Sequence, residues 1–572
     1  MKYSIQIYRD ILSNISHRVL SFICIALMAN ISNLHAQDQE LPVIEATTPI
    51  QINADLPVFG DVTDFQISPD NQRAVYISDQ NNDEVFELFS VRMDGSAAPI
   101  RLSLPTPVVN GDVLSVVGFS ADGERVIYSA DQNLDGMDEI LSARLDGSAR
   151  ITLTPNFGAV NAFRTLSLSP DKARVLYVPS VQGARTLRHM FSVSVTGGAI
   201  ERLSDNFAVN QILTASDPDF SRDSSKVIYR VVINGEDQLH IASTDGSGTA
   251  LRLDADGPGL DRIFAYEISN DNSRVVYHAD QITDAQFELF SVAATGGQVV
   301  RLNSSLPADA EVQSFRLNSL NSNFVYYIAD QFALGRHEMF SVDIAGGTPV
   351  RISPNITGDS DAAFRSTNLN GPIIGYVFND MSAPLHVLSF RGIVQADNRD
   401  LFLSVNTALL DFFAVTESES GEFVTFISSP SGTFEQRLSS LRLDSNQRVL
   451  ISQETTRSNA SDLRHISRND KTLAYTTSDD INFGESRRIL FVTSLRFGEP
   501  VRLTPDLIDD AEISKTLTSD DAAFVLYQAD QDALDQFNLY ASAITVNEPD
   551  PELSELCFPI VAATGGIAVI CL

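Results

Sequence analysis

Cysteine is scarce in this sequence of 572 residues, which contains three in all. Cys24 lies in an apolar N-terminal segment, so Cys557 and Cys571 are the two that remain beyond it. They bound "CFPIVAATGGIAVICL", where two short apolar runs flank TGG and indicate a β-hairpin at 557–572. In an oxidising compartment we expect a disulfide between them. Two interpretations stay open: a stapled hairpin that covers one face of the main domain, or a C-terminal recognition or sorting tag.

Positive charge is also scarce. The sequence has 40 Lys and Arg against 74 Asp and Glu, a net charge of −34 at neutral pH. The first 36 residues carry a net charge of +2, which leaves −36 for the rest. Such an acidic surface repels phosphate backbones and excludes nucleic acid as an expected partner. It favours solubility and suits a salty or calcium-containing medium.

Long apolar segments are confined to the N-terminus. Lys2, Arg9 and Arg18 precede or border an apolar stretch at 19–29, and "LHA" follows before Gln37. This order is typical of a secretory signal peptide, which we place at 1–36, and the stretch is short for a bilayer span. We therefore expect an exported protein, periplasmic or extracellular, with no transmembrane segment after cleavage. An uncleaved anchor is the alternative.

Familiar catalytic motifs are missing. The sequence has no HExxH or His-x-His spacing and no GxSxG nucleophile elbow. Six histidines lie beyond the leader, and they are His189, His240, His278, His337, His386 and His465. Because they fall far apart, the sequence predicts no catalytic residue and no cofactor, although a ring-shaped fold can gather distant residues at its channel.

What the sequence does have is a repeat. "FQISPDNQRAVYISDQ", at 65–80, returns nine more times at steps close to 50 residues, which indicates a solenoid, propeller or array. The anchor of each repeat is an aromatic residue that ends an apolar run. The ten anchors are Tyr76, Tyr128, Tyr177, Tyr229, Tyr277, Tyr327, Tyr376, Phe426, Tyr475 and Tyr527.

Each repeat contains the signals of four short strands. A Ser eight residues before the anchor, and an Asp, Asn or Ser six before it, favour a hairpin turn such as "SPDNQR" between two β-rich runs. A third run such as "ELFSV" follows, then a turn with Gly, then a fourth run such as "IRLS". Four antiparallel strands per 50 residues predict one blade of a β-propeller, an all-β fold.

The ends of the repeat array predict how the ring closes. Repeat ten lacks a fourth strand, whereas "PIQIN" at 49–53 is a spare fourth strand before repeat one. A closed ring removes exposed sheet edges, so we expect "PIQIN" to complete blade ten. The sequence therefore predicts one ring of about ten blades. Two smaller propellers are the alternative, since four to eight blades are usual.

An acidic loop follows several anchors. Asp79, Asp131, Asp280, Asp330 and Asp530 lie three residues after their anchors, and each is followed by Gln. In "DQNLDGMDE", at 131–139, Asp131, Asn133 and Asp135 alternate before Gly136, which suits calcium and resembles the first half of an EF-hand loop. Ser142 stands where the last ligand belongs. The alternative is that these Asp side chains organise the loop by binding backbone amides.

The repeat "SPDNQRAVYISDQ…ELFSVRMDGSAAPIRLS" resembles the TolB-type, WD-like propeller repeat over about residues 49–546. The resemblance implies an exported propeller and carries over no catalytic residues. The chain shows neither the α/β domain that precedes the propeller in TolB nor a hydrolase domain after it. We expect a signal peptide at 1–36, an N-terminal segment at 37–48, the propeller at 49–546, a linker at 547–556 and the hairpin.

Three functions follow as hypotheses. The first is a non-catalytic binding or scaffold protein, whose propeller face docks a protein partner in the cell envelope or medium. The alternative is a secreted enzyme that acts on polysaccharide or peptide in the channel, which requires acids or His from several blades at one level. The third is a calcium-stabilised structural protein of the cell surface.

Overall fold

The structure is a computed structural model, and its described residues form strands, turns and bends without a helix. It describes residues 43–105, 108–154, 160–181, 189–204, 211–213, 218–255, 257, 262–317, 323–353, 360–364, 373–380, 385–392, 405–407, 410–418, 420, 422–430, 437–442, 447–450, 458–482, 485–495, 500–505, 511–547, 557–561 and 567–571. One compact unit comprises 44–546, and the terminal residues form a second unit.

The strands are short, as the repeat predicts. The first group is β1 Val43–Ala46, β2 Ile50–Gln51, β3 Val62–Ile67, β4 Arg73–Ser78, β5 Glu87–Arg92, β6 Ile100–Arg101, β7 Val113–Phe119, β8 Arg125–Ala130, β9 Glu139–Arg144, β10 Arg150–Thr152, β11 Val160–Leu168, β12 Arg174–Val181, β13 Phe191–Ser194, β14 Ile200–Arg202, β15 Gln211–Leu213, β16 Asp219–Phe220, β17 Lys226–Ile233, β18 Glu236–Ser243 and β19 Leu251–Arg252. The second group is β20 Ile263–Ile268, β21 Arg274–Thr283, β22 Gln286–Ala293, β23 Val300–Arg301, β24 Val312–Leu317, β25 Phe324–Ala329, β26 Glu338–Asp343, β27 Val350–Arg351, β28 Ser360–Phe364, β29 Ile373–Asp380, β30 Leu385–Gly392 and β31 Val405–Thr407. The third group is β32 Leu410–Glu417, β33 Phe423–Pro430, β34 Arg437–Arg442, β35 Gln447–Leu450, β36 Ser458–Ile466, β37 Thr472–Asn482, β38 Glu485–Ser494, β39 Val501–Arg502, β40 Ile513–Thr518, β41 Phe524–Ala529, β42 Asn538–Asn547, β43 Cys557–Val561 and β44 Ile567–Cys571.

Within 44–546, the described strands form ten antiparallel sheets that follow one another along the chain, and β43 and β44 form a separate pair. The strands of blades one to nine lie in sequence order, with β15 and β16 both pairing with β17 in blade four. Blade one is β3–β6, and blades two to nine are β7–β10, β11–β14, β15–β19, β20–β23, β24–β27, β28–β31, β32–β35 and β36–β39. First strands of neighbouring blades contact one another, as β3 contacts β7 and β36 contacts β40, which identifies them as the inner strands. The all-β propeller prediction is therefore confirmed.

The predicted hairpin turn between the first two strands is present. In blade one the Ser68 hydroxyl donates to Asp70 Oδ1 at 2.5 Å and accepts the Arg73 amide at 3.0 Å. The pair recurs as Ser120–Asp122, Ser169–Asp171, Ser221–Asp223, Ser269–Asp271 and Ser519–Asp521. These side chains replace backbone partners in a tight turn. The corresponding Ser319 and Asn368 lie outside the described residues.

Where the structure describes their side chains, the aromatic anchors form the centre of the blade. Tyr76 is fully buried and stacks on Phe89 of the third strand with ring centroids 5.4 Å apart. Equivalent stacks are Tyr177–Phe191, Tyr277–Phe290, Tyr327–Phe340, Tyr475–Phe491 and Tyr527–Tyr540. Apolar clusters also lie between blades, as where Tyr229 packs with Leu176. Burial of such side chains contributes about 1.5–3 kcal/mol each, so the interfaces hold neighbouring blades together.

The N-terminal strand closes the ring. Ile50 and Gln51 pair with Ala541 and Tyr540 in β42, which confirms that "PIQIN" completes blade ten. The structure adds β1, which the sequence did not predict and which also pairs with β42. Blade ten then packs on blade one, because Lys515 Nζ donates to Asp64 Oδ1 at 2.6 Å and to a neighbouring carbonyl. Contacts from each blade to the next make this one ring, so the alternative of two rings is wrong.

The C-terminal hairpin is present as β43 and β44, with Cys557 directly opposite Cys571 in the backbone register. A disulfide between them stays a prediction. Within the described part of the chain, no helix is long and apolar enough to cross a membrane. The leader at 1–36 lies outside the described residues.

Candidate site on the inner strands

The Asp-Gln loops are the first candidate, and the structure gives them a structural role. In all five, one carboxylate oxygen accepts the amide that precedes or begins the inner strand, at 2.5–2.7 Å. The other accepts an amide five residues further on, at 2.9–3.2 Å. The second amide always belongs to a residue with positive φ, namely Glu84, Gly136, Ala285, Gly335 or Asp535. The Asp therefore holds the loop in a left-handed turn.

The Gln of this motif has a role that the sequence did not predict. Gln80 Oε1 accepts the hydroxyl of the anchor Tyr76 at 2.9 Å. The same bond joins Tyr277 to Gln281, Tyr327 to Gln331 and Tyr527 to Gln531. A buried tyrosine hydroxyl requires a partner, and the Gln supplies it from the end of the same strand. The Asp-Gln pair thus connects the blade core to the loop.

The predicted calcium loop shows the same pattern. The two carboxylate oxygens of Asp131 accept hydrogen bonds from the amides of Asp112 and Gly136, at 2.7 and 2.9 Å. Asn133 donates to Glu139, and Asp135 lies exposed in the loop. Among the described residues, no group of three His, Cys, Asp or Glu side chains is placed to hold a metal ion. A calcium site at Asp131, Asn133 and Asp135 stays a prediction that this geometry does not favour.

A second candidate lies at one level of the inner strands. On each inner strand, one residue pairs with the residue that directly precedes the anchor on the second strand. This position is therefore equivalent from blade to blade. Its occupants are Gln66, Gly118, Ser167, Asp219, Glu267, Arg316, Thr416, His465 and Leu517. Two acids and an arginine therefore occupy the same register position in the successive blades four, five and six. A histidine occupies that position in blade nine.

These side chains reach the next blade. Asp219 Oδ2 accepts the amide of Ile268 at 3.1 Å, and Glu267 Oε2 accepts the amide of Leu317 at 3.1 Å. Ile268 directly follows Glu267 in the chain, so this bond holds the Asp219 carboxyl group near enough for its negative charge to act on Glu267. The same geometry brings Glu267 beside Arg316, whose Nη1 lies 3.9 Å from Glu267 Oε1.

The two acids are held in an environment that favours their protonated forms. Burial raises the pKa of Glu267 to about 7, and the nearby negative charge of Asp219 adds to the shift. The Leu317 amide and Arg316 act in the opposite direction. Burial also raises the pKa of Asp219. Glu267 nevertheless keeps 27% of its side-chain surface exposed, so water and small groups reach it.

At the same position in blade nine, His465 has a structural role only. Its Nδ1 accepts the amide of Thr518 at 3.0 Å, and burial lowers the pKa of the ring. An acceptor Nδ1 places the proton of the neutral ring on Nε2. In blade one, Gln66 also bonds to the next blade, but as a donor, to the Val116 carbonyl at 3.1 Å. A neutral side chain is therefore sufficient for the bridge between blades, and acids at this position add something the fold does not require.

Sequence reasoning missed this site. The signal was available, because each occupant lies two residues before the Ser of the first hairpin in most repeats, as Glu267 precedes Ser269. Aligning that position would have shown acids in two successive repeats. Of the six histidines beyond the leader, His278 lies elsewhere on blade five, and the side chain of His386 lies outside the described residues.

Comparisons with known proteins bear on the fold. No protein-family model matches the sequence, and no curated protein matches it significantly. Solved structures similar to it include prolyl oligopeptidase B from Galerina marginata, at 11% identity and TM-score 0.35 over 68% of this chain and 56% of that one. A prolyl endopeptidase shows 14% identity and TM-score 0.37 over 73% and 52%, and the tricorn protease 12% and 0.27 over 84% and 43%.

The chain thus spans about half the length of these solved proteins, or less. The prediction of a non-catalytic scaffold is corrected by the acids that the chain carries on its own inner strands. The alternative, an enzyme that acts in the channel, is the better supported of the two. It required acids from several blades at one level, and Asp219 and Glu267 meet that condition. The TolB-type resemblance stays a prediction.

Proposed function

We propose that the protein is an exported hydrolase that cleaves peptides at the inner strands of blades four to six. The observation that carries the proposal is the placement of Asp219, Glu267 and Arg316 at one register position of three successive blades. Export is supported by the leader that the sequence predicts at 1–36. Every residue that we assign a role in the reaction belongs to this chain.

The arrangement divides acid and base between two carboxyl groups. When two carboxyls lie together in a site of low dielectric, one keeps a proton and the other ionises. Protonated Glu267 donates its proton to the amide nitrogen that leaves, while Oε2 still accepts the Leu317 amide. Ionised Asp219 takes a proton from the water that attacks the carbonyl carbon. The carbon–nitrogen bond breaks, and the products are a carboxylic acid and an amine.

Arg316 supplies the positive charge. The carbonyl oxygen gains negative charge as water adds, and a guanidinium beside it lowers the barrier. Arg316 is 44% exposed, so its side chain is accessible to a substrate. The net charge of −34 favours peptides that carry positive charge over acidic polysaccharides. This electrostatic argument favours basic peptides over acidic polysaccharides, and the test below includes neutral polysaccharide as an outcome.

The test is hydrolysis of a library of internally quenched fluorogenic peptides between pH 5 and 9. We expect Glu267→Gln and Asp219→Asn each to lower kcat/KM by about 100-fold or more. Gln66→Ala is the matched control, since it removes the inter-blade bond at the same register position without touching the acids. For the wild type, kcat/KM should decline above about pH 7 as Glu267 loses its proton.

Two results would remove the proposal. The first is a wild-type protein that cleaves no peptide in the library. The second is cleavage that Glu267→Gln leaves unchanged, which would point to a contaminating enzyme. Hydrolysis of neutral polysaccharide with the same dependence on Glu267 would keep the site and replace the substrate class.

A further inference from the structure

A β-bulge recurs at the start of the inner strands. One residue there has no partner on the second strand, and in five blades it is Thr63, Leu114, Phe264, Gln313 or Ser514. A bulge turns its extra side chain away from the regular alternation of the strand. In four blades this residue is small, aliphatic or an amide. In blade five it is an aromatic ring at the end of the strand that carries Glu267.

The ring of Phe264 is exposed but held in place. Its side chain is 74% exposed. Its ring lies edge-on to the ring of His278 at 5.8 Å and to that of Phe287 at 6.2 Å, and those two rings lie 5.2 Å apart. Two aromatic neighbours fix the orientation of the Phe264 ring, so its free surface is an ordered apolar platform.

His278 supplies polar atoms behind this platform. The side chain is 3% exposed, and neither ring nitrogen makes a hydrogen bond of normal geometry with a described residue. Burial lowers its pKa to about 4, with the Val312 backbone partly offsetting the effect. The ring is therefore neutral at pH 7, with one nitrogen able to donate and the other able to accept. His278 therefore serves as a neutral, buried aromatic support for the ring of Phe264.

The loops at the same end of the blades are acidic. The start of β20 pairs with the end of β21, so Phe264 lies at the end of the blade that carries the Asp-Gln loop. Exposed acids there include Asp83, Asp135, Asp284 and Asp535. Asp284 belongs to the loop of blade five, and the other three belong to the equivalent loops of blades one, two and ten. Together they give this end of the blades negative charge, which attracts positively charged ligands. An apolar platform with an acidic border matches a peptide that carries both an aromatic and basic side chains.

The distance to Glu267 suits a substrate subsite. Phe264 precedes Glu267 by three positions on β20, which corresponds to about 10 Å along an extended strand. An extended peptide covers this distance in about three residues. A substrate held at Phe264 is therefore long enough to place a peptide bond at Glu267.

We propose that Phe264, backed by His278 and Phe287, binds an aromatic side chain of a basic peptide substrate. The assignment rests on the proposed peptidase function, whose substrate class it narrows. It also makes a claim about binding that is separate from cleavage, so the two can be tested apart.

The experiment measures binding in the Glu267→Gln background, where cleavage is blocked. Fluorescein-labelled Lys-Gly-Phe-Gly-Lys and Lys-Gly-Ala-Gly-Lys are titrated with protein, and fluorescence anisotropy gives Kd. We expect the first peptide to bind about tenfold more tightly than the second, and Phe264→Ala to remove that difference. Phe59→Ala is the matched control, since Phe59 is 79% exposed and belongs to a loop between blades ten and one.

Each outcome decides the proposal. A preference for the aromatic peptide that survives Phe59→Ala and is lost in Phe264→Ala supports it, even if the wild type hydrolyses nothing. Equal loss in both variants, or no preference for the aromatic peptide in the starting protein, overturns it. Neutral oligosaccharides that bind in a Phe264-dependent way while the peptides do not would also overturn it. Circular dichroism and the unfolding midpoint show whether each variant is folded.

Discussion

Two sets of carboxyl groups in this protein follow opposite rules. The Asp residues of the Asp-Gln loops return at the same place in five blades, and each binds two backbone amides. The acids of the inner strands occur at a position that other blades fill with Gln, Gly, Ser, Thr or Leu. Each of these acids binds one backbone amide of the next blade and lies beside another charged group.

The difference separates carboxyl groups that the fold requires, in the Asp-Gln loops, from carboxyl groups that the fold accommodates without requiring them, on the inner strands. A repeated carboxylate that binds a backbone amide with each of its two oxygens is explained by the blade. A charged side chain that replaces neutral ones at an equivalent, desolvated position raises the energy of the fold, because burial opposes ionisation. Such a side chain requires another explanation, and catalysis is the one we propose for Asp219 and Glu267.

The largest effect on stability should come from the loop set. Asp280→Ala leaves the amides of Arg262 and Ala285 without their acceptor. We expect a loss of about 4 kcal/mol in the free energy of unfolding, since a buried group left without its bond costs about 1–3 kcal/mol. Asp219→Ala leaves one amide without its acceptor but also removes a carboxyl group whose burial is unfavourable. We therefore expect the free energy of unfolding to fall by about 1 kcal/mol or less. Urea unfolding measures both, and equal losses would break the comparison.

The next effect is a pH dependence from the inner set. The pKa of Glu267 is about 7 in the folded protein and about 4.5 without the fold's influence. A raised pKa means that the folded state binds the proton more tightly, so the contribution to stability is complete below about pH 4.5. It is lost as the pH rises through 7, by at most about 3 kcal/mol.

The measurement is the difference in unfolding free energy between the wild type and Glu267→Gln from pH 4 to 9. His278 and His465, whose pKa values are lowered, destabilise both proteins alike at acidic pH and cancel in the difference. We expect the wild type to lose stability relative to the variant as the pH rises. A difference that stays constant would show that Glu267 is ionised as easily as an exposed carboxyl.

The same contrast explains how much the sequence could predict. The blade, its hairpin turns and the closure by 49–53 all depend on local patterns that repeat, so ten copies reveal them. The partner of Gln80 was not predictable, because the motif does not show that the glutamine amide lies beside the hydroxyl of Tyr76. Asp219 and Glu267 were missed for a different reason. Their meaning depends on which residues of the next blade they face, and only the ring defines that.

The smallest effect sharpens the account of the loop set. Ala285 and Gly335 occupy equivalent positions after the Asp-Gln motif, with φ of 60° and 77°. A left-handed conformation costs a residue with a Cβ about 1–2 kcal/mol, whereas glycine adopts it freely. A Cβ added at Gly335 would meet nothing within 4 Å, so the cost there is one of conformation alone.

We therefore expect Ala285→Gly to raise the unfolding free energy by about 0.5–1 kcal/mol and Gly335→Ala to lower it by a similar amount. Urea unfolding midpoints are sensitive enough to measure both. Opposite signs of similar size would show that the carboxylates of Asp280 and Asp330 hold the same turn. The turn is strained in blade five, where Ala285 has a Cβ, and unstrained in blade six, where the residue is Gly335. Changes of the same sign would mean that the two loops are not equivalent, and the Asp-Gln motif would lose its single structural explanation.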